Sequence, residues 1–145
     1  MQSANITNHR LLLTALLIGS AMNTLTQLGE AQYIALETYK KNGQAVPTPV
    51  WVTQEAGKLY VITEGNSGKV KRIRNNSQVR VAKSDMRGKV EGDWSAATAR
   101  VLTDAAAVAQ QGKRLAAKYG LIYRLFHIYL TMTQRKRTSV VIEIA

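Results

Sequence analysis

The sequence predicts an antiparallel β-barrel carrying added helices, and three observations lead there. Short runs of alternating apolar and polar residues are joined by tight turns, as in residues 32–39 (QYIALETY) followed by Lys-Lys-Asn-Gly. Strand-like runs succeed one another without a helical crossover between each pair, which a doubly wound parallel sheet requires. Two helical stretches then sit together late in the chain, before a last apolar strand. At 145 residues the chain holds one domain of ordinary size.

Taken in order, residues 11–18 form an apolar run after Arg10 and before Gly19, Ser20 and Ala21. This has the outline of a secretory signal but is too short for a transmembrane helix of about 20 apolar residues. Leu12, Leu16, Met22, Leu25 and Leu28 recur at helical spacing, so a retained helix covering part of a core is favoured over a cleaved signal. Residues 1–24 are therefore expected to form a helical extension and residues 25–145 the barrel domain. Residues 45–54 (AVPTPVWVTQ) form the second strand. Pro47 and Pro49 cannot donate to a ladder, so part of this strand must be an edge or a bulge. Glu55-Ala56-Gly57 turns the chain into a third strand at 58–63 (KLYVIT).

Ser67 caps a short helix at 68–75, with Val70 and Ile73 facing inward three residues apart. Residues 78–82 form a fourth strand, and residues 89–102 are extended around a Gly-Asp turn at 92–93. Residues 104–119 are alanine-rich and helical with Gly120 as a stop, residues 121–133 form another helix, and residues 138–144 form the last strand.

The chain has no cysteine, which excludes disulfides, thiolate nucleophiles and iron–sulfur sites. His9 and His127 are its two histidines, so no multi-histidine metal site is expected. The net charge of +11 points to an anionic partner. Eight Lys or Arg residues lie between Lys69 and Lys89, with Asp85 as the one acid among them, and a second basic group runs through residues 113–137. Nucleic-acid binding is disfavoured, because aromatic residues are 6% of the chain and no familiar motif occurs.

The stretch from Leu59 to Asn76 reads as strand, glycine-containing turn, serine cap and basic helix. A phosphate suits such a place. The first N–H groups of a helix are unsatisfied and its dipole favours negative charge. Ser67 and Thr63 offer hydroxyls, and Lys69 and Arg72 offer cations three residues apart. An ordinary capped helix with a solvated basic face explains the same residues. The sequence is neither a Walker loop nor a Gly-x-Gly-x-x-Gly fingerprint.

Tyr33-Ile-Ala-Leu-Glu-Thr-Tyr, Pro47-Thr-Pro-Val-Trp-Val, Leu59-Tyr-Val-Ile-Thr, Ser67-Gly-Lys-Val-Lys-Arg, Gly92-Asp-Trp, Lys118-Tyr-Gly and Val140-Val-Ile-Glu-Ile form an ordered set of segments. This set resembles the pyridoxamine 5'-phosphate oxidase-like split-barrel family, and is most similar to its small F420-dependent class oxidoreductases. The resemblance implies a six-stranded antiparallel split β-barrel that dimerises, with FMN or F420 at the dimer interface. It implies that Ser67 and Lys69 contact the cofactor phosphate with help from Arg72. Pro49, Val50 and Trp51 would lie along the ring through backbone groups, and Thr63 would approach it. Trp51 is open to a second reading, as an apolar residue packing the barrel.

Two departures narrow this. Authentic pyridoxamine phosphate oxidases carry an Arg in the strand that here reads Pro-Thr-Pro-Val-Trp, and end in an Arg- and His-containing substrate segment. This chain has neither, so pyridoxamine phosphate is rejected as substrate and the choice of FMN or F420 stays open. The expectation is a cytoplasmic oxidoreductase moving hydride between that cofactor and a small organic molecule, with no catalytic acid or base identified. A non-catalytic flavin or haem carrier of the same fold is the alternative. His127 is expected to be a packed or surface-tipped residue, Tyr33, Tyr39 and Tyr60 strand packing residues, and Asp93 and Trp94 either local structure or contacts to a partner's site.

Overall fold

The structure is a computed structural model that describes residues 3–132 and 139–145. Its elements are α1 (Ser3–Glu30), β1 (Tyr33–Tyr39), β2 (Ala45–Trp51), β3 (Thr53–Glu55), β4 (Lys58–Glu64), α2 (Gly68–Asn75), β5 (Gln78–Ser84), β6 (Ser95–Leu102), α3 (Ala105–Tyr119), α4 (Leu121–Met132) and β7 (Ser139–Ile144). The strands form one sheet in the order β2-β1-β5-β6-β7-β4-β3, with every pair antiparallel.

Among the described residues seven strands stand where six were expected, and the reason is local. The two edges of the sheet, β2 and β3, are consecutive in the chain and separated only by Val52. The segment at 45–54 bends at Val52, pairs with β1 before the bend and with β4 after it, and so carries the sheet round on itself. Pro47 and Pro49 face Glu37 and Ala35 on β1, and their other side is a sheet edge, where a missing N–H costs nothing. Val52 itself is fully buried.

The β3–β4 hairpin turns on two residues, Ala56 and Gly57, both with positive φ (51° and 77°). That is the turn geometry whose twist matches paired strands, and glycine adopts it without penalty. The barrel interior holds Ile34, Leu36, Val61, Val81 and Ile142, with Val70 and Ile73 of α2 added from one end. Those two residues sit where their three-residue spacing put them. The N-cap is Ser67, whose Oγ accepts from the Val70 N–H, as the sequence predicted.

Two expectations change. The strand at 89–102 is confined to Ser95–Leu102; Val90 makes one isolated bridge to Ser84, and Asp85 accepts from the Arg87 and Lys89 N–H groups to form a loop instead. In α1, Leu28 is buried and Leu25 packs against the core, but Leu12 and Leu16 are 63% and 69% exposed and cover nothing. Thr133, Thr138 and the basic residues 135–137 lie outside the described residues.

Helix α3 begins at Asp104, whose carboxylate accepts from the Ala107 N–H, and ends at Gly120 with φ 56°. Its inner face docks on the β3–β4 hairpin. Gln111 is fully buried, accepting from Thr53 Oγ1 at 2.9 Å and donating to the Tyr60 carbonyl at 3.2 Å. Arg114 lies 3.9 Å over the Tyr60 ring and pairs with Glu55. Buried polar groups are tolerated only when so satisfied.

Candidate functional site

Strand β4 ends at Glu64 and α2 starts four residues later, so the strand end and the helix start share one corner. Thr63 Oγ1 donates to Ser67 Oγ at 3.4 Å and accepts from Lys69 Nζ at 3.3 Å. Three of the residues singled out from sequence therefore meet within hydrogen-bond reach. Both distances lie beyond the usual 2.7–3.2 Å. Burial pushes the Lys69 ammonium below the ordinary lysine range, and the nearby Arg72 charge adds to this, while Glu64 opposes it. A cation depressed in this way gains most from an incoming anion.

Arg72 takes a different position from the other three. Its Nε donates to the buried Thr38 Oγ1 at 2.6 Å, which ties α2 to β1. The guanidinium folds back over Gly68: a Cβ built there would lie 2.7 Å from Nη1. The basic block of residues 69–89 is not one patch. Arg80 turns away to Glu37 (2.8 Å) and lies 5.0 Å over Trp94, which accounts for Trp94 locally.

A cleft of about 510 Å³ opens beside this corner, between β4, α3 and α4. Thr63 and Trp51 line it together with Ile62, Leu115, Tyr123 and Phe126. The size and largely apolar lining suit a small organic ligand. Trp51 stacks on Tyr119, ring centroids 4.7 Å apart and planes at 15°, and Phe126 meets it edge-on at 5.3 Å. Trp51 thus packs against helix residues, and its remaining surface lines the cleft. Val50 and Pro49 precede it on the edge strand, with Val50 half-buried against the core and Pro49 exposed. His127 lines the cleft as an exposed residue, 5.8 Å from the Tyr123 ring. Tyr60 is a buried packing residue as expected, while the Tyr39 hydroxyl donates to Glu37.

The bend beside Trp51 is held by two residues to which the sequence assigned no role. Lys118 Nζ donates to the carbonyls of Gly29 (2.7 Å), Ala31 (2.5 Å) and Val52 (2.6 Å). It thereby satisfies acceptors at the end of α1, where helix carbonyls lack partners, and at the strand bend. Burial pulls this lysine down to about 8. The Tyr119 hydroxyl donates to the Gln32 carbonyl at 2.6 Å and accepts from the Val52 N–H at 3.1 Å; burial raises its pKa above that of an ordinary tyrosine. Lys118-Tyr119-Gly120 carried part of the family resemblance. Nothing in the local pattern reveals that these residues reach Val52, 66 and 67 positions away.

No protein-family model and no curated protein matches the chain. Solved structures do. The conserved hypothetical protein Rv2991 from Mycobacterium tuberculosis superposes with a TM-score of 0.63 at 16% identity, over 85% of this chain and 78% of that one. A putative pyridoxamine 5'-phosphate oxidase from Listeria innocua gives 0.59 at 14% identity, over 86% and 91%. The fold is the pyridoxamine 5'-phosphate oxidase-like split barrel. An F420-H2 dependent reductase, FDR-A, has the same split barrel, with a TM-score of 0.52 at 22% identity over 79% of this chain and 94% of that one. In the present split barrel the break falls at Val52, between the edge strand that carries Trp51 and the hairpin that leads to Thr63.

Proposed function

We propose that the chain is an oxidoreductase that binds FMN or F420 and passes hydride between it and a small organic substrate. The observation that carries this is the corner where Thr63, Ser67 and Lys69 converge on a helix start at the mouth of an apolar cleft. The residues present fit a phosphate-bearing ring cofactor: two hydroxyls, a half-buried ammonium, the Val70 end of a capped helix, and a guanidinium lying across a glycine. The F420-H2 dependent reductase among the structural neighbours supports the same reading.

In this reading Ser67 and Lys69 hold the phosphate, and Arg72, anchored on Thr38, screens it from the side. Pro49, Val50 and Trp51 border the ring, with Thr63 at its near edge. The bound cofactor supplies the hydride chemistry. The chain's residues bind and orient it: Trp51 is fixed by Tyr119, and Tyr123 and Phe126 line the cleft beside it. A homodimer with cofactor sites at its interface belongs to this proposal, as the family resemblance implies.

The test is direct. Purified protein titrated with FMN and with F420 should quench or shift the absorbance and fluorescence of one of them at micromolar concentration. Absence of binding to both at high micromolar concentration overturns the proposal. Binding without reoxidation of the reduced cofactor by any of a panel of organic acceptors turns the assignment to a carrier.

A further inference from the structure

Three chain segments meet at one point beside Trp51. Val52 stands outside both ladders, between the last pair of β2 (Trp51 with Tyr33) and the first of β3 (Thr53 with Tyr60). Its carbonyl accepts from Lys118 Nζ at 2.6 Å and its N–H donates to the Tyr119 hydroxyl at 3.1 Å. Consecutive residues at the end of α3 therefore hold both backbone groups of Val52. The same ammonium donates to the Gly29 and Ala31 carbonyls at the end of α1. That end is in turn pressed against β3: a Cβ built on the buried Gly29 would stand 2.6 Å from the Cβ of Gln54, two residues past Val52. A Cβ moves only with its backbone, so no side-chain rotation relieves such a contact.

We propose that Lys118 is a positioning residue for the cofactor ring, fixing through Val52 the strand end that carries Trp51. This rests on the oxidoreductase reading, in which Pro49, Val50 and Trp51 border the ring. An ammonium carries three N–H donors around one atom, and here three carbonyls from two segments take them, which pins the bend from outside the sheet. A planar guanidinium cannot send its donors from one point in this way. The arrangement is costly, since burial pulls the lysine down to about 8, and a helix end can be satisfied by water or a glycine cap alone. What the half-buried cation adds is a fixed place for Val52. Binding groups keep their geometry when residues behind them lock it, and a misplacement of about 1 Å costs up to about 100-fold. The phosphate corner is held by separate bonds among Thr63, Ser67 and Lys69. Ring and phosphate are thus positioned by different ties.

The test compares the full chain with Lys118→Gln and with Gly29→Ala, all in a Trp94→Phe background so that emission reports Trp51 alone. Glutamine removes the charge and one of the three donors. Alanine keeps the lysine and pushes α1 away from Gln54, so the second variant reaches Val52 by another route and decides the matter where the first does not fold. Each protein is titrated with FMN and F420, and with the matching ring compound lacking phosphate: riboflavin, or the dephosphorylated deazaflavin. In the folded variants the Trp51 emission should shift before any cofactor is added. The cofactor and its phosphate-free ring should both bind about tenfold more weakly, and the visible circular dichroism of the bound ring should change. Lys69→Ala, by contrast, should leave the affinity for the phosphate-free ring unchanged. A lowered urea midpoint with emission, ring affinity and dichroism all as in the wild type overturns the proposal and leaves Lys118 a tie of the fold alone. A loss confined to the phosphate-bearing cofactor also overturns it, because the effect then lies at the phosphate. If the wild type binds neither FMN nor F420, the oxidoreductase reading falls and this assignment with it; wild-type binding that both variants retain removes this assignment alone.

Discussion

The indole of Trp51 lies nearly parallel to the phenol ring of Tyr119, 4.7 Å away, and the Tyr119 hydroxyl closes the same unit by bonding the backbone at Val52 and Gln32. Ring stacking and hydroxyl bonding are separable. Tyr119→Phe should keep the stack and lose both bonds, costing about 1–3 kcal/mol because the Val52 N–H is left without its partner. Tyr119→Ala should lose a further 0.5–1.5 kcal/mol or so from the stack and shift the Trp51 emission, which Tyr119→Phe should not. Urea midpoints and tryptophan spectra of the two variants read the two effects apart.

Lys69→Ala removes the cation at the helix start. If the cofactor phosphate sits there, its affinity should fall by about 1.5–3 kcal/mol, roughly 10- to 150-fold, the range for a charge-assisted hydrogen bond. Stability should not fall in step, because burial and Arg72 already disfavour the ammonium in the folded chain. Affinity in the wild type should also fall as pH rises through the Lys69 pKa, at lower pH than for an ordinary lysine, and this dependence should vanish in the variant. Isothermal titration with the cofactor at several pH values measures both.

The α2 corner was legible in sequence because it is local. Ser67, Val70 and Ile73 sit within seven residues, and capping and periodicity dictate their places. The hairpin strands were legible for the same reason. The bend at Val52 was signalled only indirectly, by two prolines that forbid a central strand, and the residues that hold it come from the far end of the chain. Lys118 shows why: a lysine in a basic helix reads as a solvated charge, and only the close approach of three carbonyls makes it a structural tie. Leu12 and Leu16 failed in the opposite sense. Helical spacing was right, but periodicity states that a face exists and not what covers it.

Glu37 supplies a test of stability against pH. It is 5% exposed, and its Oε1 accepts from Arg80 Nε at 2.8 Å and from the Tyr39 hydroxyl at 2.9 Å. The bond from Arg80 holds its pKa below the ordinary 4.5 and outweighs the upward push of burial. A carboxyl lowered by folding contributes stability above its unfolded pKa and loses it as pH falls through the folded value. The wild type should therefore lose urea resistance below about pH 4.5 more steeply than Glu37→Gln. The variant should be the less stable of the two at neutral pH. Parallel curves would show that the Arg80 bond contributes nothing.

Gly68→Ala separates the fold from the proposed phosphate site at a single carbon atom. The added Cβ would stand 2.7 Å from Arg72 Nη1, the tip of a flexible side chain, so the guanidinium must swing aside while Nε stays near Thr38. Alanine is the better helix former, and no positive φ is involved at this position, so stability should stay within about 0.5 kcal/mol of the wild type or rise. Cofactor affinity should nevertheless fall severalfold, because the displaced guanidinium no longer screens the phosphate. In an Arg72→Ala background the same substitution should leave affinity unchanged, since there is nothing left to displace. An equal loss in both backgrounds would mean that the alanine methyl itself obstructs the phosphate and that Arg72 serves only to tie α2 to β1.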